Sequence, residues 1–294
     1  MERGMNKGET FIKLFLVISL VLGVGLGLKE IVLSFDEKED LKEREMEERM
    51  IIKKLPQTIE TIKKRLKEDP SQDLSDYLVF WVRMAHKDPR TIELYREIIK
   101  KSTNVDTVRC ATTFLVQIGK SKRYNRKDIV LPILMETLNH PSIDIRLNVA
   151  EELFEWGYKK EVYPVYVGIV MKDPKELKNE LENRPLRGGF KMAFQIAKED
   201  PDYKEDLYVR IARWRIAPII NAIEKLIEYD DSRTRKLVRK ALFENEYISS
   251  VVTKFRRDIE TQRPKRKALE RTWAKERERK MKFFEGLDAY LRKQ

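Results

Sequence analysis

From Asn104 to Gly157 the chain reads NVDTVRCATTFLVQIGKSKRYNRKDIVLPILMETLNHPSIDIRLNVAEELFEWG, and this stretch decides the fold because it states one helical pattern and then begins to state it again. Val105, Val108, Ala111, Leu115 and Ile118 recur every three or four residues, the spacing that gathers apolar side chains on one face of a helix. Gly119 is expected to stop that helix and Gly157 the next, since glycine takes the left-handed conformation at a helix end without strain. Between them, Ile129 to Asn139 reads as an apolar helix carrying Pro132 and closed by His140-Pro141. Arg146 then repeats Arg109 after 37 positions, with Ile145, Val149, Ala150 and Leu153 as the apolar face around it. The unit is helix, turn, helix. It predicts an all-α chain built from stacked hairpins.

Working outward, Leu78, Trp81, Val82, Met84 and Ala85 predict an earlier buried helix face. Ile92, Tyr95, Ile98 and Ile99 predict another, opened by an Asp88-Pro89 cap. Leu131-Pro132-Ile133-Leu134 through His140-Pro141, then Asp144-Ile145-Arg146 and Ala150 to Leu153, resembles one near-complete HEAT repeat. Tyr163-Pro164-Val165 through Asp173-Pro174 resembles the first helix of a following copy, and Leu186-Arg187 with Met192 to Ile196 its second. Gly188-Gly189 departs from that pattern. Ala217-Pro218-Ile219 through Asp230-Asp231, with Arg235 and Val238 to Leu242, resembles a further copy after an insertion near Pro201 to Arg215. The resemblance runs from about Asp88 to Leu242 and implies a curved α-solenoid whose surface binds other macromolecules. Family likeness of this kind names no partner.

The N-terminal segment has a different solvent. Leu14 to Leu28 is an unbroken apolar run, flanked by Arg3, Lys7 and Lys13 on one side and Lys29 and Glu30 on the other. A full span of a hydrocarbon core about 30 Å thick must also draw on Phe11, Ile12 and Ile31 to Phe35. An uncleaved single-pass membrane anchor is preferred over a cleaved secretory signal, because no A-x-A site follows the run, and over a buried core helix. The basic N-terminus is expected to stay inside, which places the body of the protein on the outer face of the cell membrane. Gly23 and Gly27 form a small-xxx-small pair through which two such helices could approach as a homodimer. The expected divisions are a 1–35 anchor, a 36–70 charged helical stalk interrupted at Pro56, a 71–250 HEAT-like repeat domain and a 251–294 basic helical tail.

Composition sets the surface chemistry. The chain of 294 residues is 37% charged against about 25% for an ordinary soluble domain, with a net charge of +12. Acid and base are interspersed along most of it, the pattern of a solvated helical surface rich in ion pairs, of a kind associated with heat-adapted proteins. The exception is the tail, where residues 254–294 hold 15 Lys and Arg against 7 Asp and Glu. Within it, Arg263, Lys265, Arg266 and Lys267 around Pro264 form the one candidate binding cluster, for a polyanion or a partner. The stripe Met281, Phe284, Leu287 and Leu291 that follows could cap the end of the solenoid, lie on lipid or take a partner.

Patterns of catalytic chemistry are lacking. His86 and His140 are the two histidines, neither at ligand spacing from a second His, Cys or carboxylate, and no phosphate loop, nucleophile elbow or calcium loop occurs. Cys110 is the single cysteine and sits among apolar neighbours as an inert thiol. Arg109, Arg146 and Arg187 are read as ties to turn carboxylates such as Asp106 and Asp144, and Trp81, Trp156 and Trp214 as core. The expectation is a non-catalytic, membrane-anchored scaffold for protein–protein interaction, with no cofactor and no metal. The alternative is a nucleic-acid-binding or DNA-glycosylase-like HEAT protein, which the apolar N-terminus disfavours.

Overall fold

The computed structural model describes residues 49–50, 52–79, 88–121, 126–186, 188–198, 200–261 and 270–293. The apolar run Leu14 to Leu28, Gly23 and Gly27, Trp81, His86, Arg187 and the Arg263–Lys267 cluster lie outside the described residues. Cα proximity divides the chain into two units, Met1–Thr61 and Ile62–Gln294. In the first, the described positions 49–50 and 52–61 are helical. Pro56, expected as an interruption, falls inside that run, because proline already holds a helical φ and removes only one ladder bond.

The second unit is all-helical, with no strand among its described residues. A helical stretch over 62–68 (α1) and a single turn at Ser75–Tyr77 (α2) lead into α3 (Pro89–Lys101), α4 (Val105–Lys120), α5 (Lys127–Thr137) and α6 (Ile143–Glu155). After these come α7 (Lys159–Val170), α8 (Pro174–Glu182), α9 (Gly188–Ala197) and the long α10 (Pro201–Ile227). The unit closes with α11 (Ser232–Glu244), α12 (Glu246–Thr261) and α13 (Glu270–Arg292). One starting device recurs. Asp88, Asn104, Asp173, Asp200 and Asp231 each precede a helix and accept a backbone N–H from its first turn, and three of them are followed by proline at the first helical position.

The two glycines that look alike in sequence do different work. Gly157 has φ +92, and the N–H groups of Gly157 and Tyr158 donate to Phe154 and Leu153 carbonyls at 2.9 Å each, which is a Schellman closure of α6. Gly119 lies within α4, one residue before its end, and stops nothing. A Cβ there would meet the Trp156 ring at 2.4 Å, so its role is to admit that ring from the end of α6.

Packing builds two layers. α3 pairs with α4 and α5 with α6, while α3 also packs on α5 and α4 on α6. The core of these hairpins is the face read from the sequence: Val108, Ala111, Leu115, Ile118, Ile145, Val149, Ala150 and Leu153 are all fully buried. The next helix, α7, pairs with α10 rather than α8. Glu151 of α6 bonds Asn221 of α10 and Glu155 bonds Lys225, a constant offset of 70 residues, so α6 and α10 run in the same direction in one layer. In the other layer α7 packs on α11, with the Tyr163 and Thr234 hydroxyls 3.0 Å apart. The pair α8 and α9 is therefore an insertion. Ala193, Ala197, Leu207 and Ile211 give α9 and the first half of α10 a small core of their own.

This corrects the expected start of the last repeat. Ala217-Pro218 does not open a helix; Pro218 stands inside α10, in line with the segment taken as an insertion. A proline in mid-helix orphans the carbonyl four residues earlier, here that of Trp214. The Arg184 guanidinium donates to Trp214 O at 2.6 Å and Arg215 O at 2.9 Å, so the helix continues past its missing N–H.

The tail docks. α13 packs on α10, α11 and α12, burying Phe283, Phe284, Leu287 and Tyr290. Arg256 holds Asp288 through two bonds of 3.0 and 2.8 Å, and Lys280, 5% exposed, reaches Glu224 at 3.1 Å. Of the three fates open to the apolar stripe, the cap is the one adopted, since the last hairpin otherwise leaves its face to water.

Candidate functional site

Along α6, Glu151, Glu152 and Glu155 occupy the face turned toward α10, because residues three and four apart share a helix face. Along α10, Asn221, Glu224, Lys225 and Glu228 answer them at the same spacing. The parallel register of the two helices brings both sets together, and they wall a groove of about 400 Å³ that Lys120 of α4 and Arg279 of α13 also border. Five carboxylates thus converge in a chain whose net charge is +12.

Most of them are tied across helices. Lys120 reaches Glu152 at 2.5 Å, and Lys225 bridges Glu155 and Glu228 at 3.0 Å each. Lys225 also lies 4.4 Å from the centroid of the Phe154 ring, whose negative face favours a cation. Burial works against its charged form, but the bonds to Glu228 and Glu155 outweigh that and raise the ammonium above the usual lysine value. Glu151 is placed differently. It is half-buried, and its partner is the neutral Asn221 amide at 2.8 Å. Burial raises its carboxyl above the usual 4.5, while the Asn221 bond and the more distant Lys225 charge oppose the shift.

A second opening lies in the other layer. α5 and α7 stand apart there, leaving a groove of about 610 Å³ lined by Met135, Leu138, Pro164, Val165 and Gly168. A Cβ on Gly168 would meet nothing within 4 Å. Its charged border, Arg146 and Lys172, is neutralised by Glu180, which takes both at 3.6 and 2.5 Å.

The residues singled out from sequence fall in several places. Arg109 ties Asp106 as expected. Arg146 ties the turn through the His140 and Pro141 carbonyls, both at 2.8 Å, rather than through Asp144. Asp144 is held by Arg184, a residue the repeat pattern did not mark, and both are buried. Arg184 also lies 4.0 Å from the Trp214 ring centroid. His140 accepts the Ser142 N–H through Nδ1 at 3.1 Å, and burial, then the Arg146 charge, lowers its pKa. Cys110 is a half-buried free thiol. Among the described residues no group of three His, Cys, Asp or Glu side chains could hold a metal ion, and no helix is long and apolar enough to cross a membrane. The acidic groove was not marked in sequence, because its two walls are 70 residues apart.

Comparison of the chain with family models, with curated proteins and with solved structures found no match.

Proposed function

We propose that this chain is a non-catalytic, membrane-anchored helical-repeat scaffold of HEAT-like type, which binds another protein in the groove between α6 and α10. The observation that carries this reading is a local excess of acid: in a strongly basic chain, five carboxylates against Lys120, Lys225 and Arg279 line the groove walled by two parallel helices of one layer. Complementary potential of that kind steers a partner and fixes its register. The two-layer packing of α3 to α7 with α10 and α11, together with the repeat-like phrases at Pro132 and Pro164, supports the solenoid. The apolar run Leu14 to Leu28 supports the anchor.

The experiment is photo-crosslinking from a reactive residue placed at Glu155 on the groove rim, in cells whose membranes are then fractionated and the N-terminus identified. One discrete adduct in the membrane fraction, lost when Glu152 and Glu228 are both changed to Lys and absent when the same probe sits at Lys240 of α11, is the result expected. Equal adducts from both positions, or a chain recovered without its first 35 residues in the aqueous fraction, would overturn the scaffold and the anchor respectively.

A further inference from the structure

We infer that a trench between α3 and α5 binds an extended segment of another protein, one acidic side chain between two apolar ones, and that Arg96 takes the carboxylate. The trench lies in the other layer from the α6–α10 groove, so the inference goes beyond the scaffold reading and does not depend on that groove. Two openings compose it. The first, of about 420 Å³, has Ile92, Ile129 and Pro132 in its walls, and the second, of about 180 Å³, has Ile99, His140 and Pro141. Arg96, Ile133 and Glu136 line both, so the openings meet at Arg96. Early residues of α3 face early residues of α5 and late ones face late, which means that the two helices run in the same direction and the trench follows their length. From Pro89 to Lys100 that length is about 16 Å, at 1.5 Å per helical residue. An extended chain covers it with about five residues.

At the midpoint of the trench the Arg96 guanidinium has charge partners but no hydrogen bond among the described residues. Glu93 and Glu136 stand 3.9 and 3.8 Å from it, beyond hydrogen-bond reach, and its Nε is buried with no partner. Glu136 is held instead by Lys100 at 3.0 Å. Arg146, by contrast, spends its donors on the His140 and Pro141 carbonyls. A guanidinium offers five N–H donors in a planar fork that matches a carboxylate through two parallel bonds, and that capacity is unspent at Arg96.

The geometry and charge select the occupant. Arg96, Lys100 and Arg126 line the trench against Glu93 and Glu136, which suits a single negative charge, while the two glutamates disfavour a more highly charged group such as a phosphate. Apolar side chains lie on both sides of Arg96, and Ile129 is 43% exposed beside Ile92 and Pro132. Ile92 precedes Arg96 by four residues and Lys100 follows it by four, steps of about 6 Å along a helix. Alternate residues of an extended chain point to one side and repeat at about 6.6 Å. An apolar residue, an acid two positions on and a second apolar residue two positions further therefore match the three parts of the trench.

The test uses the full chain in detergent and a rhodamine-labelled, end-capped Leu-Gly-Glu-Gly-Leu peptide as the probe, followed by anisotropy at physiological salt, with circular dichroism to confirm that each variant is folded. Exchanging the peptide's Glu for Gln should weaken binding about tenfold, the value of one charged hydrogen bond, and Arg96→Gln should weaken the Glu peptide as much while abolishing that discrimination. Ile129→Ala should weaken both peptides about threefold to tenfold, and Lys240→Gln, at an exposed position on α11, should change affinity less than about twofold. If the preference for Glu survives Arg96→Gln, or if Arg96→Gln and Lys240→Gln weaken binding alike, the carboxylate is not taken by Arg96 and the trench falls. Absence of saturable binding by the Glu peptide overturns it too, while the α6–α10 crosslink stands or falls on its own result. Tighter, Arg96-dependent binding of a Leu-Gly-Leu peptide with a free C-terminal carboxylate would assign Arg96 to a chain end and overturn the internal acidic side chain as its occupant.

Discussion

Arg184 forks onto Asp144 across 40 residues of sequence, with the same guanidinium capping the two α10 carbonyls at Trp214 and Arg215. The node joins the first turn of α6, the link after α8 and the mid-point of α10. Its side chains are 4% and 6% exposed, so neither charge has water to fall back on. Asp144→Ala should therefore cost about 3–5 kcal/mol, the loss typical of stranding one partner of a buried pair. Chemical denaturation followed by far-UV dichroism measures it, and a loss under about 1 kcal/mol would mean that Arg184 finds another partner.

Leu153 carries the inner face of the second hairpin and is 0% exposed. Leu153→Ala should lower stability by about 2–5 kcal/mol, through the apolar burial removed and the cavity left behind. A change below about 0.5 kcal/mol in the same denaturation assay would mean that the site refills by collapse.

Two helical glycines should respond to alanine with opposite signs. At Gly119 a methyl collides with the Trp156 ring, and Gly119→Ala should destabilise by about 1–3 kcal/mol. At Gly168 nothing lies within 4 Å, and Gly168→Ala should gain up to about 1 kcal/mol of helix propensity. Paired thermal melts decide both, and a gain at Gly119 would contradict the packing of the α6 end on α4.

Glu151 and His140 set opposite pH trends. The Glu151 carboxyl titrates above its unfolded value of 4.5, so its burial cost is full above the folded pKa and disappears as pH falls below 4.5. Glu151→Gln should raise the melting temperature at pH 7 to 8, with the gain shrinking toward pH 4. The His140 imidazole titrates below 6.5, so its contribution is present above that value and is lost as pH falls through the folded pKa. His140→Gln should flatten the stability profile on the acid side of pH 6.5. Melting curves of the two variants across pH 4 to 8 check the signs.

The basic cluster Arg263, Lys265, Arg266 and Lys267 is best tested by charge alone, since deleting 254–294 would also strip Phe284 and Leu287 from the core. Replacing the four with Gln should flatten the logarithmic salt dependence of binding to a DNA duplex by up to about 3.6 units, near 0.9 for each phosphate no longer neutralised. An unchanged slope would move polyanion binding elsewhere on the surface.

Helix and cap were legible in the chain itself. The three-and-four spacing of Val108, Ala111, Leu115 and Ile118, and the Asp88-Pro89 cap, are local properties that need no other part of the molecule. The tertiary structure decided which helices are partners. The repeat pattern put Met192 to Ile196, in α9, with α7 as its mate, but α9 and the start of α10 close a core of their own, and α10 takes the place beside α7 and α6. Gly119 and Gly157 are indistinguishable as letters; one admits a ring from 37 residues away and the other turns the chain. The acidic groove belongs to the same class. Glu151 and Asn221 are each ordinary on their own helix, and only the parallel register of α6 and α10 sets a desolvated carboxylate against a neutral amide.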